Sequence, residues 1–176
     1  MRKIVSIVFI LLNLSVASAQ KLITRNGEIK FEASMPTFEE ISGTNNTASC
    51  IFDKSTGDIA VLALIKGFKF KSPLMEEHFN ENYMESDKFP KATFKGKVLS
   101  FDASKTSGTY DVEGDLTIHG VTKKIKSKVS FTNANKKMSC SFSVKPQDYG
   151  IEIPSLVKNK IAQNIKIVLD FDLQAK

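Results

Sequence analysis

In the last stretch of the chain Ile165, Ile167, Leu169, Phe171 and Leu173 take alternate positions, while Asn164, Lys166, Asp170, Asp172 and Gln174 fill the places between; Val168 alone is out of pattern. Side chains of an extended strand point to opposite faces with period two, so this segment is a strand with one face in a core and the other in water. The same alternation recurs over residues 28–34, 48–53, 58–70, 91–101, 109–119, 122–131 and 137–145, which with the last segment makes eight strands. Clusters of Gly, Asn, Asp and Ser interrupt them at short intervals. The links Lys54-Ser55-Thr56-Gly57, 104–108 and Asn133-Ala134-Asn135-Lys136 are short enough to join antiparallel neighbours.

Two segments break the alternation, and each opens on a proline, Pro73 and Pro154. Proline suits the first position of a helix, so residues 73–84 and 154–163 are predicted as short helices, with Leu156, Val157 and Ile161 as the apolar stripe of the second. Eight antiparallel strands of one pattern can close into a barrel or stack as a sandwich, and only closure removes exposed edges. The fold expected is therefore all-β, an eight-stranded antiparallel lipocalin-like β-barrel with two short helical insertions. Its inward set would be Phe31, Cys50, Phe94, Leu116, Ile118, Val129, Phe131, Phe142, Val144, Ile167, Leu169 and Phe171. Alternation does not say whether that interior is solid or hollow.

The N-terminus carries Arg2 and Lys3, an apolar run over residues 4–12, and then Ala17-Ser18-Ala19, the small-x-small pattern a signal peptidase reads. The run is far shorter than the roughly 20 residues of a membrane-spanning helix. The expectation is a signal peptide at residues 1–19, cleavage after Ala19, and one barrel domain at 20–176 in the periplasm or outside the cell. Loss of Arg2 and Lys3 lowers the formal charge from +6 to +4 and leaves Arg25 as the one arginine. Base and phosphate recognition leans on the arginine fork, so the lysine surplus argues for solubility and against nucleic acid. Lys124, Lys126 and Lys128 share the outer face of one strand, where lysine solubilises and blunts edge pairing. Attraction to an anionic head group, or transient contact with a membrane surface, is the second reading of that row.

Export would place Cys50 and Cys140 in an oxidising compartment, but both fall on the apolar faces of strands distant in order, as two unpaired buried thiols would. His78 and His119 are the only histidines, and Glu76, Glu77 and His78 lack the i, i+3 or i, i+4 spacing of helical metal ligands. No metal site is expected. The chain has no G-x-S-x-G elbow, no Gly-rich phosphate loop and no C-x-x-C pair, so no catalytic residue is assigned. His119 precedes Gly120 at a tight strand junction, where a side chain can cap the turn.

Three stretches together resemble the YceI-like family of polyisoprenoid-binding proteins. Gly114-Asp115-Leu116-Thr117-Ile118-His119-Gly120-Val121-Thr122-Lys123 is similar to the family's G-x-L-x-I-H-G-V-T signature. Residues 78–94, from His78 through Phe89-Pro90 to Phe94, match a helix, an acidic loop, an aromatic-Pro pair and a strand ending in Phe. Asp148-Tyr149-Gly150-Ile151 is the third. Residues 38–51, with Asn45-Asn46, depart from the family's commoner first-hairpin pattern.

The resemblance implies an exported barrel whose interior holds a long isoprenoid or similar amphiphile, with no catalytic residues. It implies that His78, His119, Gly120, Asp148 and Tyr149 shape the barrel rather than touch ligand. The lining expected for an apolar tunnel is Phe31, Phe94, Leu116, Ile118, Val129, Phe131, Phe142, Ile167, Leu169 and Phe171. The partner would be a lipophilic small molecule, a polyisoprenoid, quinone or fatty-acid-like lipid, with no other cofactor, held by a monomer or homodimer. The competing expectation is a structural or stress-linked exported barrel with a filled core, acting through a protein partner.

Overall fold

The computed structural model describes residues 21–35 and 40–176, so the signal peptide expected at residues 1–19 and Phe38 lie outside the described residues. Eight long strands are present: β1 (Lys21–Ser34), β2 (Ser42–Asp53), β3 (Asp58–Leu64), β4 (Lys91–Val98), β5 (Gly108–Ile118), β6 (Val121–Thr132), β7 (Lys137–Val144) and β8 (Ile161–Asp172). Each pairs antiparallel with the next, and β1 pairs with both β2 and β8, so the ladder closes on itself. A two-residue strand, β9 (Gln174–Ala175), adds to the start of β1. Closure satisfies the backbone donors and acceptors that an open sheet would leave along its edges.

The closing strand is longer than alternation foretold, because Leu22 and Ile23 also pair with β2 across two bulges around Gly27. A Cβ at Gly27 would clash with the ring of Phe171, whose Cε1 would lie 2.6 Å from it. At the other end β3 stops at Leu64 instead of running to Phe70. The Asn45 side chain supplies the reason: its Nδ2 donates to the Leu64 carbonyl at 2.9 Å, taking the place of a strand partner. The chain then turns through a short 3-10 helix (Ile65–Gly67) and rejoins β2 by a single bridge, Thr44 to Lys69.

One helix stands where two were expected. The helix α1 (Pro73–His78) begins at Ser72, whose hydroxyl accepts from the Met75 amide, and passes into a π turn (Phe79–Tyr83). Residues 155–160 instead form successive turns, with bonds such as Val157 N to Pro154 O at 3.1 Å and Lys160 N to Val157 O at 2.9 Å. The segment is too short for cooperative helix formation, and β8 already begins at Ile161, where the ladder to β1 captures it. The supposed stripe is split. Leu156 is 88% exposed, whereas Val157 and Ile161 turn toward the barrel interior.

Inward side chains fill the two ends unequally. At the end where β6 finishes and β7 begins, Phe52, Phe131 and Phe171 have no exposed surface and Met138 and Leu173 have almost none. Phe101, from the β4–β5 loop, packs edge-on against Phe52 at 4.8 Å and Phe131 at 5.2 Å between ring centroids. Toward the opposite end Phe31, Phe94, Phe142 and Ile167 also point inward, yet remain only partly buried. The barrel is a cup with a packed floor and a hollow upper half.

This asymmetry sets an expected stability contrast. Phe52→Ala should cost about 3–5 kcal/mol because it opens a void among rigid rings. Phe142→Ala, beside space that is already open, should cost less than half as much. Denaturant unfolding of the two variants at constant m-value checks the difference.

Candidate functional site

The hollow half is a cavity of about 400 Å³, within the range of about 300–1,000 Å³ usual for small-molecule sites. Every long strand except β2 contributes to its wall: Ile29 and Phe31 from β1, Ile59 and Val61 from β3, Phe94 from β4, Leu116 and Ile118 from β5, Ile125 and Val129 from β6, Phe142 and Val144 from β7, Ile167 and Leu169 from β8. Period-two alternation put these residues inside, and the closed ladder brings them together. Two connectors roof the cup. Met75, His78, Phe79 and Tyr83 come from the segment that follows β3, and Tyr149, Ile151, Ile153 and Val157 from the segment that follows β7.

Of the ten residues expected to line a tunnel, Phe31, Phe94, Leu116, Ile118, Val129, Phe142, Ile167 and Leu169 stand on this wall. Phe131 and Phe171 do not. They lie deeper, in the packed floor, because Phe131 packs tilted against Phe52 at 4.8 Å and Phe171 settles against Gly27. Cys50 is likewise inward but buried in the core near the floor, while Cys140 is on the cavity wall; both are free thiols. Burial pushes the Cys50 thiol up to about 12, and pushes Cys140 upward as well. Sequence reasoning missed the β3 wall, although residues 59, 61 and 63 alternate plainly, and named no roof residue as lining, since the roof segments lack the period-two signal of the strands.

Few polar groups reach the cavity. Thr93 and Ser127 stand on the wall, and Ser127 Oγ already donates to the Ser141 carbonyl at 3.2 Å. At the rim His78 and Lys160 are exposed and border the opening. On the barrel's outer surface Glu40 receives Lys71 at 2.6 Å and Ser42 at 2.9 Å, contacts that hold its carboxyl down to about 2. Four rings, Phe31, Phe68, Phe70 and Phe79, meet with centroids 4.9–5.7 Å apart and seat the first roof segment on the barrel.

The motif residues fasten the roof. His119 and Gly120 form a two-residue hairpin turn between β5 and β6, both with positive φ, 50° and 75°, as the type I′ geometry requires. A Cβ at Gly120 would lie 2.6 Å from the Phe89 ring. The His119 ring packs on Phe89 at 4.4 Å, its Nδ1 meets the Tyr149 carbonyl at 3.2 Å, and its Nε2 meets a Glu85 carboxylate oxygen at 2.7 Å. A carbonyl only accepts, so in the Nδ1 contact the imidazole is the donor. One side chain thus ties the first roof segment, the hairpin and the second roof segment together. Asp148 adds an ion pair to Lys123 at 3.7 Å. His78 and Tyr149, read as shaping residues, themselves face the cavity.

The lysine row on β6 meets an acidic row on β5. Asp111, Glu113 and Asp115 are register partners of Lys128, Lys126 and Lys124, with ion pairs at 2.8 Å for Lys128 and 3.1 Å for Lys126. Cross-strand opposites of this kind favour the hairpin and offset part of the row's charge. Among the described residues no cluster of three or more His, Cys, Asp or Glu side chains is placed to hold a metal ion.

A closed antiparallel cup with an apolar hollow and a two-segment roof defines a lipocalin-like binding barrel. The family model of the YceI-like domain matches residues 21–173, and the chain belongs to that family. A UPF0312 protein of Vibrio parahaemolyticus is 31% identical over 132 residues, 70% of this chain and 68% of that protein. One from Pseudomonas putida is 27% identical over 94 residues, 49% of this chain and about half, 47%, of its own length. Among solved structures, a polyisoprenoid binding domain from Saccharophagus degradans superposes with TM-score 0.76 at 16% identity, over 89% of this chain and 99% of that one. Burkholderia cenocepacia BcnA follows the same fold at TM-score 0.68 and 15% identity, over 84% and 94% of the two chains.

Two outcomes follow. His119→Ala should speed amide hydrogen exchange in residues 85–90 and 146–151 while leaving the floor strands protected, because only the roof loses its fastening. The Cys50 thiol keeps its proton in the folded barrel to about 12, above its value in the unfolded chain. Stability is therefore complete below about pH 9 and falls as pH rises toward 12, since the unfolded state releases the proton first. Cys50→Ala should flatten that alkaline slope in thermal melts against pH.

Proposed function

We propose that this chain is an exported carrier that holds the apolar chain of a lipophilic small molecule, such as a polyisoprenoid, quinone or fatty-acid-like lipid, and performs no catalysis on it. The observation that carries the reading is the hollow upper half: inward phenylalanines and isoleucines are left partly uncovered around an apolar space, while the same strands pack solidly at the floor. Burying a hydrocarbon chain there gains about 0.8 kcal/mol per CH₂, enough for useful affinity without an elaborate head-group site. The Saccharophagus domain is described as polyisoprenoid binding, and its likeness in fold supports the same class of ligand here. Residues 1–19 fit export to the periplasm or beyond, where a carrier would meet membrane surfaces transiently. The filled-barrel alternative suits the floor and leaves the hollow half without a purpose.

Native mass spectrometry of protein purified from its own envelope should find a co-purifying lipid, and N-terminal sequencing should find cleavage after Ala19. In the same preparation Leu169→Gln should weaken uptake of a prenyl alcohol at least tenfold, by placing an unpaired amide on the apolar wall. Lys166→Gln, on the outer face, should not. Bare wild-type protein that takes up no lipid sinks the carrier reading.

A further inference from the structure

We infer that the cavity measures its ligand: it admits one chain of about a dozen backbone carbons, close to laurate, myristate or three isoprene units, and leaves any longer portion outside. The inference rests on the carrier reading and goes beyond it by assigning a length.

The first support is that the cup is blind. Level with Met138 the inside is occupied by Phe131 and Phe171, with Phe52 packed against Phe131, and none of the three rings has exposed surface. Met138 pairs in register with both Phe131 and Phe171, so these three form one layer across β6, β7 and β8. Beneath that layer the β4–β5 loop is pinned to the β6–β7 turn, with Asn135 Nδ2 donating to the Lys105 carbonyl at 2.7 Å. Phe101 of the same loop packs against Phe52 and Phe131. A chain descending from the rim would have to displace stacked aromatic rings to pass, which close packing resists.

The second support is the height of the wall. Cavity-facing residues run from Val112 to Ile118 on β5 and from Met138 to Val144 on β7. At about 3.3 Å per residue each run covers about 20 Å of strand, and a barrel tilt of about 40° reduces this to about 15 Å along the axis. An extended hydrocarbon, with bonds of about 1.5 Å at near-tetrahedral angles, advances about 1.25 Å per carbon, so the depth takes about 12 carbons. An eight-stranded barrel holds one small ligand, and a cavity of about 400 Å³ suits a single chain of that length. Met138, the one flexible side chain of the layer, is where the stop can give.

Isothermal titration calorimetry with octanoate, decanoate, laurate, myristate, palmitate and stearate, each below its aggregation concentration, tests the length directly. Up to laurate or myristate each added methylene should tighten binding about fourfold, the equivalent of about 0.8 kcal/mol. Palmitate and stearate should bind within about twofold of myristate, since their extra carbons stay in water. Farnesol and geranylgeraniol, as uncharged prenyl counterparts, should bind alike. Met138→Ala should carry the break toward palmitate, and Phe131→Leu serves in its place if that variant does not fold. Affinity that climbs without a break to stearate overturns the length and leaves the carrier standing. A break that stays put in the folded variants overturns the floor as the stop. Failure of every acid and both alcohols to bind overturns the carrier reading itself.

Discussion

Everything in this molecule depends on β1 pairing with two partners at once. With β2 on one side and β8 on the other, the hydrogen-bond ladder has no free edge along its length, and the inside becomes a volume separated from water. Without that closure the alternating phenylalanines would form one face of an open sheet, and no cavity would exist to be filled or left empty. The bulges around Gly27 belong to the same device: they bend the closing strand and clear the space into which Phe171 drops.

Within that closed volume, dense packing and open space occupy opposite ends of the same strands. The floor concentrates the largest fully buried side chains, and the ring contacts among Phe52, Phe101, Phe131 and Tyr110 hold centroids 4.8–6.1 Å apart. A hollow upper half forgoes dispersion contacts that a filled one would make, so a small barrel can sustain it only where packing elsewhere is dense. The roof is held by a different kind of contact. Four phenylalanine rings seat the first segment, and His119 joins both segments to the hairpin turn, so the motif fastens the roof over the cavity.

Legibility in the sequence followed the type of interaction. The strands of the barrel, its antiparallel order and the YceI-like motifs were all readable, because period two and short turns are local properties of the chain. The end of β3 was not, since an Asn45 side chain arriving from another strand replaces its partner. The second helix failed for a related reason: a proline and three apolar residues look helical by themselves, but the ladder to β1 claims the chain from Ile161 onward.

By itself the sequence determined which side chains face inward, for a strand's alternation leaves each residue only two choices and burial of apolar surface selects one. It also placed the turns and the residues of the family motif. Only the tertiary structure decided how far down the axis the inside is filled. Phe131 and Phe171 obey the same alternation as Phe142 and Ile167, yet the first pair closes the floor and the second lines the cavity. That difference is set by strand register and by rings folding onto a distant glycine or a neighbouring ring, distances through space that no periodicity along one strand contains.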